Sequence, residues 1–322
     1  MKSTFVSDLT AGFAVDDLFA LRKVELREFP TGKMIILEIG DQTGRIKGVI
    51  WSGSTEILKT LSVGEVYRIK GTVTTYRNET QITVERAEIE KNFDPRDFLP
   101  SGKYSADELN EKLTRAIEAV ADSDYSRLLG AVFADEKFKQ GFLSGVGGKL
   151  WHHNYIGGLA EHTLSVYELC RGFTEQFKEL DRDLLLSGAL LHDIGKVDSY
   201  SLGNYIEYTD SGRLLGHIVI GDEIICKALE ALSDFPSGKI LKLRHLVLAH
   251  QGSPEQMSPV PPMIGEGFAL YTADLLDSKL AALRRIKDKE ARPGVRWSNY
   301  VNLLERYIFF GDDGEQNGEE GI

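Results

Sequence analysis

The stretch LLLSGALLHDIGK, Leu184–Lys196, places a histidine and an aspartate side by side at the end of an otherwise apolar segment. Its apolar positions predict a buried helix, which Asp183 would cap at the start and Gly195 would end in a left-handed turn. Burying polar groups such as His192 and Asp193 without partners costs roughly 2 to 7 kcal/mol for a neutral group and more for a charge. A bound ligand or ion is the expected compensation.

The histidines of the chain support this interpretation, because all seven fall in less than a third of its length. They are His152, His153, His162, His192, His217, His245 and His250, and a helical run containing Asp274 follows them. Surface histidines would scatter more widely. Imidazole and carboxylate ligands suit Zn, Mn, Fe, Co or Ni without choosing among them.

Length and composition indicate a globular protein with two cores. The chain has 322 residues, 42% of them hydrophobic and 27% charged, and no apolar run approaches the ~20 residues that span a bilayer. Its first residues contain no apolar signal core. Cys170 and Cys226 are expected as free thiols. We therefore expect a cytoplasmic protein without a membrane partner.

The net charge of −11 excludes a protein coated in basic residues, but binding to a polynucleotide depends on local potential rather than on the total. Part of this acidity lies in residues 311–322, GDDGEQNGEEGI, which contain no basic residue and little that could be buried. This segment is predicted to be a disordered acidic tail.

Residues 19–90 alternate between apolar and polar positions, with turn residues between the runs, as strands of a small antiparallel sheet or barrel do. The five predicted strands are FALRKVELRE, MIILEIG, RIKGVIW, VYRIKGTVTTY and QITVERAEI. A possible helical turn, Thr55–Leu61, occupies the place of the helix in a five-stranded OB barrel. The pattern D-x-T-G-x-I-x-x-x-x-W, Asp41 to Trp51, resembles OB-fold domains, so residues 13–92 are assigned to an OB-fold nucleic-acid-binding domain.

Basic and aromatic residues are interleaved along this barrel. Cations can follow phosphates while exposed rings stack on bases, a combination suited to single strands, although charges on a solvated face and aromatics in a core would give the same pattern. The residues predicted to bind nucleic acid are Phe29, Lys33, Trp51, Tyr76 and Arg77.

A linker is predicted at residues 93–104, which contain two prolines and no periodicity. Ser105 and Glu108 have the spacing of a capping box, and the chain from 105 to 310 is predicted to be nearly all helical. The expected fold is therefore a small all-β five-stranded OB barrel followed by an all-α helical bundle.

The ordered set of His162, the doublet His192-Asp193 and a late Asp274 resembles the HD superfamily of metal-dependent phosphohydrolases. Helical bundles build metal sites from side chains on facing helices in this way. The resemblance also matches His217 and His250 to the histidines of HD proteins that hold two metals, with Asp193 bridging the ions. The predicted metal ligands are His162, His192, Asp193, His217, His250 and Asp274.

Other polar residues near these motifs are assigned to substrate or to supporting roles. Lys196 is expected to reach a substrate phosphate, and His152 and His153 to supply further donors, with local capping as their alternative. His245 is given a role outside the ligand set or at a phosphate. Some related sites have His-His where this chain has His250-Gln251, which leaves the second ligand set open.

The barrel followed by the motifs HHNYIGGLAEHT, LLHDIGK, GHIVIG, LAHQG and ADLLDSK is similar to the YhaM family of bacterial 3′-to-5′ exoribonucleases. The resemblance implies hydrolysis of single-stranded RNA, with some activity on single-stranded DNA, to nucleoside 5′-monophosphates. It also implies two divalent ions, with Mn as the first expectation and Co, Fe, Ni, Zn or Mg as alternatives. A bound ion can lower the pKa of water to ~7 and so provide hydroxide. The direction of degradation rests on the resemblance alone.

Two competing functions are left open. The first is an HD phosphohydrolase of small nucleotides that uses its OB domain for assembly or regulation. Two features of the sequence count against it. Alarmone hydrolases carry a motif like HD-x-x-E-D, whereas this chain has His192-Asp193 followed by Ile-Gly-Lys-Val. The chain also lacks the Gly-Tyr-Pro signature of cyclic-dinucleotide phosphodiesterases. The second is a single-strand-binding protein with a vestigial metal site. Apolar helix faces suit a monomer and a homo-oligomer equally well.

Overall fold

The computed structural model of the chain describes residues 2–29, 32–51, 60–77, 79–99, 102–148, 153–202, 206–232, 234–302 and 304–311. It divides into two compact units. The first contains residues 1–103, 155–157 and 200–210, and the second contains residues 104–154, 158–199 and 211–322. The predicted fold class, a small β-barrel followed by a helical domain, is confirmed.

The first unit is built around a closed barrel whose strands follow the order β1-β2-β3-β5-β4. The strands are β1 (Ala14–Phe29), β2 (Gly32–Asp41), β3 (Gly44–Ile50), β4 (Val66–Tyr76) and β5 (Glu79–Glu90). Strands β3 and β5 pair in parallel, and the other neighbours are antiparallel. All five predicted strands are confirmed. Most of the predicted helical turn Thr55–Leu61 lies outside the described residues.

Period-two alternation produces the barrel because it directs one apolar face of each strand inward. Ile35, Leu37 and Ile39 of β2 are fully buried, as are Ile69 of β4 and Ile82 of β5. Burial of each of these five aliphatic side chains contributes roughly 1.5 to 3 kcal/mol of folding free energy relative to leaving it exposed. The alternation was therefore a reliable guide to the barrel core.

Helices form most of the second unit. They are α1 (Ala106–Glu118), α2 (Ser123–Val132), α3 (Glu136–Ser144), α4 (Gly158–Gln176), α5 (Arg182–Leu191), α6 (Lys196–Ser199), α7 (Asp210–Leu214), α8 (His217–Glu230), α9 (Ser237–Ala249) and α10 (Gly265–Glu290), although α7 begins at the last residue of the first unit. The predicted capping box at the start of α1 is confirmed, since Glu108 N–H donates to Ser105 Oγ and the Glu108 carboxylate accepts from Ser105 N–H. Helices α4, α5 and α10 share one apolar core.

The two ends of α5 differ from the predictions. Asp181, rather than Asp183, caps its start by accepting the Leu184 N–H at 3.1 Å. Asp183 instead accepts the backbone N–H of Asp122 at 2.6 Å. Gly195 does not adopt the predicted left-handed conformation, because it is not among the described residues with a positive φ.

Close backbone packing explains the glycine at position 195. A Cβ atom there would lie 2.0 Å from the carbonyl oxygen of His217 and 2.5 Å from the amide nitrogen of Gly221. Both of these atoms belong to α8. The glycine therefore allows the main chain after α5 to touch the main chain of α8, which is a packing requirement rather than a turn requirement.

Two described parts of the region 105–310, which was predicted to be nearly all helical, contain strand pairing. A two-stranded hairpin, β6 (Tyr200–Leu202) and β7 (Ile206–Tyr208), follows α6. After α10, isolated antiparallel bridges join Trp297 to Phe309 and Val301 to Arg306. The predicted acidic tail lies outside the described residues from 312 onward, and the predicted linker contains a short 3₁₀ turn, Pro95–Asp97.

Both cysteines are free thiols, as expected. Over the described part of the chain, no helix is both long enough and apolar enough to cross a bilayer.

Candidate metal centre

The doublet after α5 lies beside the histidine of α4. The Nε2 atoms of His162 and His192 are 3.2 Å apart, and each lies 3.4 Å from Oδ2 of Asp193. Asp274 Oδ1 on α10 is 3.1 Å from His162 Nε2. These four side chains, His162, His192, Asp193 and Asp274, form what we call the first ligand group.

A second group uses the other oxygen of the same carboxylate. His217 Nε2, at the first residue of α8, lies 3.4 Å from Asp193 Oδ1, and His250 Nε2, just after α9, lies 3.6 Å from it. We call Asp193, His217 and His250 the second ligand group. The side-chain amide nitrogen of Gln251 lies 3.1 Å from His217 Nε2.

The orientation of the imidazoles is fixed by backbone carbonyls. His192 Nδ1 donates to the Ala189 carbonyl at 2.8 Å, and His250 Nδ1 donates to the Val247 carbonyl at 2.7 Å. Each Nδ1 therefore carries the proton, so in the neutral ring Nε2 presents a lone pair to the site. This arrangement is typical of metal-ligating histidines.

The donor set fits divalent metal ions. Asp193 Oδ1 and His250 Nε2 are buried and have no hydrogen-bond partner among the described residues. Leaving such groups unpaired costs about 1 to 3 kcal/mol each, and more for a charged group, so their convergence needs a physical reason. A cation held between imidazole nitrogens and a carboxylate supplies that reason.

Burial and neighbouring charges set the protonation of these side chains. Burial lowers the pKa of His217 to about 3, which leaves its ring neutral and able to bind a cation. Burial alone would lower the pKa of His162 as well, but hydrogen bonds with Asp193, Asp274 and Asp277 outweigh it and raise the pKa well above its ordinary value. His162 is therefore the ring that must lose a proton before it accepts a cation.

Asp277, one helical turn after Asp274, organises the far side of His162. Its Oδ2 accepts from His162 Nδ1 at 2.7 Å and from His153 Nε2 at 2.8 Å, while Oδ1 accepts from Ser165 Oγ at 2.5 Å. Burial raises the pKa of Asp277, but the hydrogen bonds from His153 and His162 prevail and hold it well below its ordinary range. Asp277 is thus a buried carboxylate anion.

Sequence reasoning missed Asp277 and Ser165. The signal for Asp277 is a second acidic residue three positions after Asp274, which places both carboxylates on neighbouring parts of one helix face. Ser165 has the same spacing from His162 on α4, but a serine in a helix is too common to single out.

Lys196 is buried against Asp193 rather than extended toward a substrate. Its ammonium group donates to Asp193 Oδ2 and to the Gly147 carbonyl, each at 2.6 Å. Burial raises the pKa of Asp193, but the charges of Lys196 and His192 reverse that effect and hold the pKa well below its ordinary value. The ammonium therefore holds the carboxylate that both ligand groups share, and its contact with a substrate phosphate stays a prediction.

Comparison with known proteins gives the same organisation. An HD domain matches residues 159–283, and an OB-fold nucleic acid binding domain matches residues 22–90. The 3′-5′ exoribonuclease YhaM of Geobacillus sp. (strain WCH70) is 31% identical over 303 residues, which cover 93% of this chain and 92% of that protein. The chain belongs to the YhaM family.

YhaM of Bacillus subtilis (strain 168) is also 31% identical, over 279 residues that cover 86% of this chain and 87% of that protein. Among solved structures, the second OB-fold domain of replication protein A from Methanococcus maripaludis is 19% identical and covers 29% of this chain and all of that domain. Its TM-score of 0.24 is too low to add to the family assignment.

The remaining histidines of this YhaM-family chain have separate environments. His153 contacts Asp277, so it lies behind His162 rather than in either ligand group. His245 Nε2 accepts the backbone N–H of Met263 at 3.0 Å, so this ring lies outside both ligand groups, which is one of the two roles predicted for it. His152 lies outside the described residues. The structure thus brings together all six predicted ligands and leaves His245 apart from them.

Three of the predicted nucleic-acid-binding residues of the YhaM-family barrel share one end of the sheet. Phe29 is the last residue of β1 and pairs with Gly32, the first residue of β2. Lys33 follows Gly32 and pairs with Glu28 in the same hairpin. Trp51 directly follows the last residue of β3, at the strand end where Ile50 pairs with Ile35. Phe29 and Trp51 are exposed, and Lys33 is ion-paired with Glu28 at 2.6 Å.

The other two residues lie elsewhere on the barrel. Tyr76 is exposed at the tip of the β4–β5 hairpin, and the Arg77 guanidinium lies 5.3 Å from its ring centroid. Because Lys47 pairs with Gln81 in parallel register, this tip is level with the start of β3. At about 3.3 Å per residue, some six residues of β3 separate it from Trp51 by about 20 Å. The barrel therefore offers two exposed aromatic positions on different ends rather than one cluster.

Proposed function

We propose that this YhaM-family protein is a cytoplasmic, metal-dependent 3′-to-5′ exoribonuclease. It hydrolyses phosphodiester bonds of single-stranded RNA, with single-stranded DNA as a second substrate, and releases nucleoside 5′-monophosphates. The observation that carries the proposal is the position of Asp193, whose two carboxylate oxygens face two separate histidine groups at 3.4 to 3.6 Å. The names of the relatives supply the polarity of degradation.

Two divalent ions are expected, with Mn first and Co, Fe, Ni, Zn or Mg as alternatives. His162, His192, Asp193 and Asp274 would hold one of them, and Asp193, His217 and His250 the other. When bound, such ions supply Lewis acidity at the phosphoryl oxygens and a water-derived nucleophile near neutral pH. The Gln251 side chain would complete the second group with its amide oxygen turned toward the ion.

The protein's own residues hold the ligands in place before RNA arrives. Lys196 fixes the Asp193 carboxylate, and Asp277 fixes the ring of His162. Backbone carbonyls hold His192 and His250 with their Nε2 atoms directed into the site. Such preorganisation removes reorganisation from the chemical step, because charged groups do not have to move when the phosphodiester binds.

The barrel supplies capture of the single strand. Exposed Phe29 and Trp51 can stack on bases near one end of the sheet, and Tyr76 can do so near the other. Arg77 lies beside Tyr76, and Lys33 lies in the same hairpin as Phe29, so both can contact phosphates. With capture and chemistry on different domains, the protein would hold the strand while its 3′ end is hydrolysed.

The function is tested with full-length protein stripped of metal by EDTA and then supplied with Mn²⁺. A 3′-labelled oligoribonucleotide should release labelled mononucleotide at once, while a 5′-labelled copy should shorten stepwise, and neither should change without metal. Hydrolysis of a small-nucleotide panel with the oligoribonucleotide left intact would contradict the proposal and favour a small-nucleotide phosphohydrolase. Light scattering on the same sample measures the oligomeric state.

We expect Asp277→Asn to weaken metal binding by about 10- to 100-fold without unfolding the protein. The amide carries no negative charge and has one accepting oxygen where the carboxylate has two, so it cannot accept from the two histidines and from Ser165 at once. The His162 ring therefore loses part of its basicity. Isothermal titration of the metal-free protein with Mn²⁺ measures the affinity. Asp288→Asn, an exposed change on the same helix, is the matched control, and equal Mn²⁺ affinity in both variants would contradict the role of Asp277.

We expect Trp51→Ala to weaken binding of a long oligoribonucleotide by about 1 to 3 kcal/mol, the value of one base stack. The Trp51 side chain is 60% exposed, so its removal leaves no cavity in the barrel core. Fluorescence anisotropy in EDTA measures affinity without hydrolysis. Trp51→Phe keeps a stacking ring and should retain most of the affinity; an equal loss in both variants would show that stacking is not the cause.

A further inference from the structure

The chain after α10 lies beyond both matched domains, which end at residue 90 and residue 283. It carries four large aromatic side chains that are each between 48% and 58% exposed: Trp297, Tyr300, Tyr307 and Phe309. We call these four rings the aromatic platform. Single exposed aromatic rings are common on protein surfaces, but several of them together in a short segment indicate an interaction site.

The backbone of this segment is held as a hairpin. Antiparallel bridges join Trp297 to Phe309 and Val301 to Arg306. Between them, the Ser298 N–H donates to the Ile308 carbonyl at 2.8 Å, and the Ile308 N–H donates to Ser298 Oγ at 2.8 Å. The side chain of Ser298 is buried on the inner face.

All four rings share the outer face. Tyr307 and Phe309 are two residues apart on an extended segment, so their side chains point the same way. The ring of Trp297 packs on Phe309 with centroids 4.8 Å apart, and Tyr300 packs on Tyr307 at 5.2 Å. Asn299 is the extra residue that returns Tyr300 to this face, as the residue of a β-bulge does.

The platform is tied to α10, the helix that carries Asp274 and Asp277. Asn299 donates through its backbone N–H and its side-chain amide to Glu290 Oε2, at 2.8 and 3.2 Å. Glu290 is the last residue of α10, thirteen residues after Asp277. At 1.5 Å per residue, the anchor lies about 20 Å along the helix from Asp277.

The segment that contains the platform and the end of α10 is positively charged, whereas the chain as a whole is negatively charged. Residues 284–310 contain seven basic and three acidic residues, a net charge of +4 in a chain of net charge −11. The basic residues are all exposed: Arg284, Arg285, Lys287, Lys289, Arg292, Arg296 and Arg306. The guanidinium of Arg296 also lies 5.6 Å from the ring centroid of Phe309.

We propose that the aromatic platform is a second binding site for single-stranded RNA, separate from the barrel and on the same unit as the metal centre. The inference rests on the proposed exoribonuclease function for the identity of its ligand. Exposed rings accept any base by stacking, and the surrounding cations follow the phosphates. A second copy of the chain fits this surface less well, because a two-fold contact would bring the same positive surface against itself.

The test uses full-length protein in EDTA with a fluorescent single-stranded oligouridylate. Tyr300→Ala/Tyr307→Ala should raise Kd by about fivefold or more for each ring lost. Tyr300→Phe/Tyr307→Phe keeps both rings and should leave Kd within about twofold of the parent. Phe177→Ala removes a ring of similar exposure on α4's C-terminal side and should leave Kd unchanged.

Location is measured directly by photocross-linking a 4-thiouridine oligonucleotide and identifying the modified peptides. Cross-links within residues 292–310 are expected. An unchanged Kd for the double alanine variant, or cross-links confined to the barrel, overturns the platform. A smaller mass by light scattering with unchanged RNA affinity per protomer also overturns it and assigns the surface to contact between copies.

Hydrolysis of a trinucleotide with Mn²⁺ separates this inference from the function on which it rests. If the parent protein hydrolyses the trinucleotide and the double alanine variant binds long RNA normally, only the platform is wrong. If the parent hydrolyses no oligonucleotide, the exoribonuclease proposal is wrong. The binding and cross-linking results then stand as evidence about single-strand binding alone.

Discussion

Asp193→Asn should reduce hydrolysis of an oligoribonucleotide by about 10³-fold or more while leaving RNA affinity unchanged. The substitution keeps the size of the side chain but removes the negative charge that faces both ligand groups. Losing several kcal/mol of transition-state stabilisation at about 1.4 kcal/mol per tenfold gives a rate change of this order. Initial rates with saturating Mn²⁺ and anisotropy in EDTA measure the two quantities.

Asp198→Asn is the matched control, since this exposed aspartate lies five residues later on α6. It should leave hydrolysis and binding within about twofold of the parent protein. Residual hydrolysis by Asp193→Asn above a tenth of the parent rate would show that the shared carboxylate is not central to the reaction. A parallel loss of RNA affinity would show that the metal centre, and not the barrel, dominates capture.

Lys196→Met should destabilise the metal-free protein by about 3 to 5 kcal/mol, because it leaves the buried Asp193 carboxylate without its ammonium partner. Saturating Mn²⁺ should restore much of this loss, since a bound cation binds only the folded site and replaces the missing charge. Urea unfolding in EDTA and in Mn²⁺ measures both effects.

Lys139→Met provides the comparison, because Lys139 forms an ion pair with Glu136 at the protein surface, at 2.8 Å. Its loss should cost no more than about 1 kcal/mol. Adding Asp193→Asn to Lys196→Met should recover stability in EDTA, as the unpaired charge is then removed. If Lys196→Met unfolds at the same urea concentration as the parent, the ammonium contributes nothing to the site and the phosphate role returns.

The barrel could be predicted because each strand alternates over enough residues to specify its buried face. The hairpin β6–β7 could not, since strands of three residues, Tyr200–Leu202 and Ile206–Tyr208, are too short to show a period. The same limit applies to the paired segments after α10, where a bulge at Asn299 interrupts the alternation.

The metal ligands could be predicted because histidines and aspartates are rarely buried without cause, and the family motif orders them. Their supports could not. The cap of α5 is Asp181 because Asp183 is engaged by the backbone of Asp122, a contact between residues 61 positions apart. From the sequence, Lys196 could contact either a substrate or Asp193, which is three residues away. The contact with Asp193 became visible only in the structure, where the ammonium also donates to the Gly147 carbonyl.

The main-chain contact at Gly195 makes the metal centre depend on a residue that is not itself a ligand. The distance between the two ligand groups is set where the backbone after Asp193 rests on the first turn of α8, which begins with His217. Main-chain atoms make this contact, so substitutions of the surrounding side chains leave the contact itself in place. Any residue with a Cβ at position 195 would instead push α8, and with it His217, away from Asp193. Substitution of this glycine should therefore harm the metal centre more than substitution of the side chains around it.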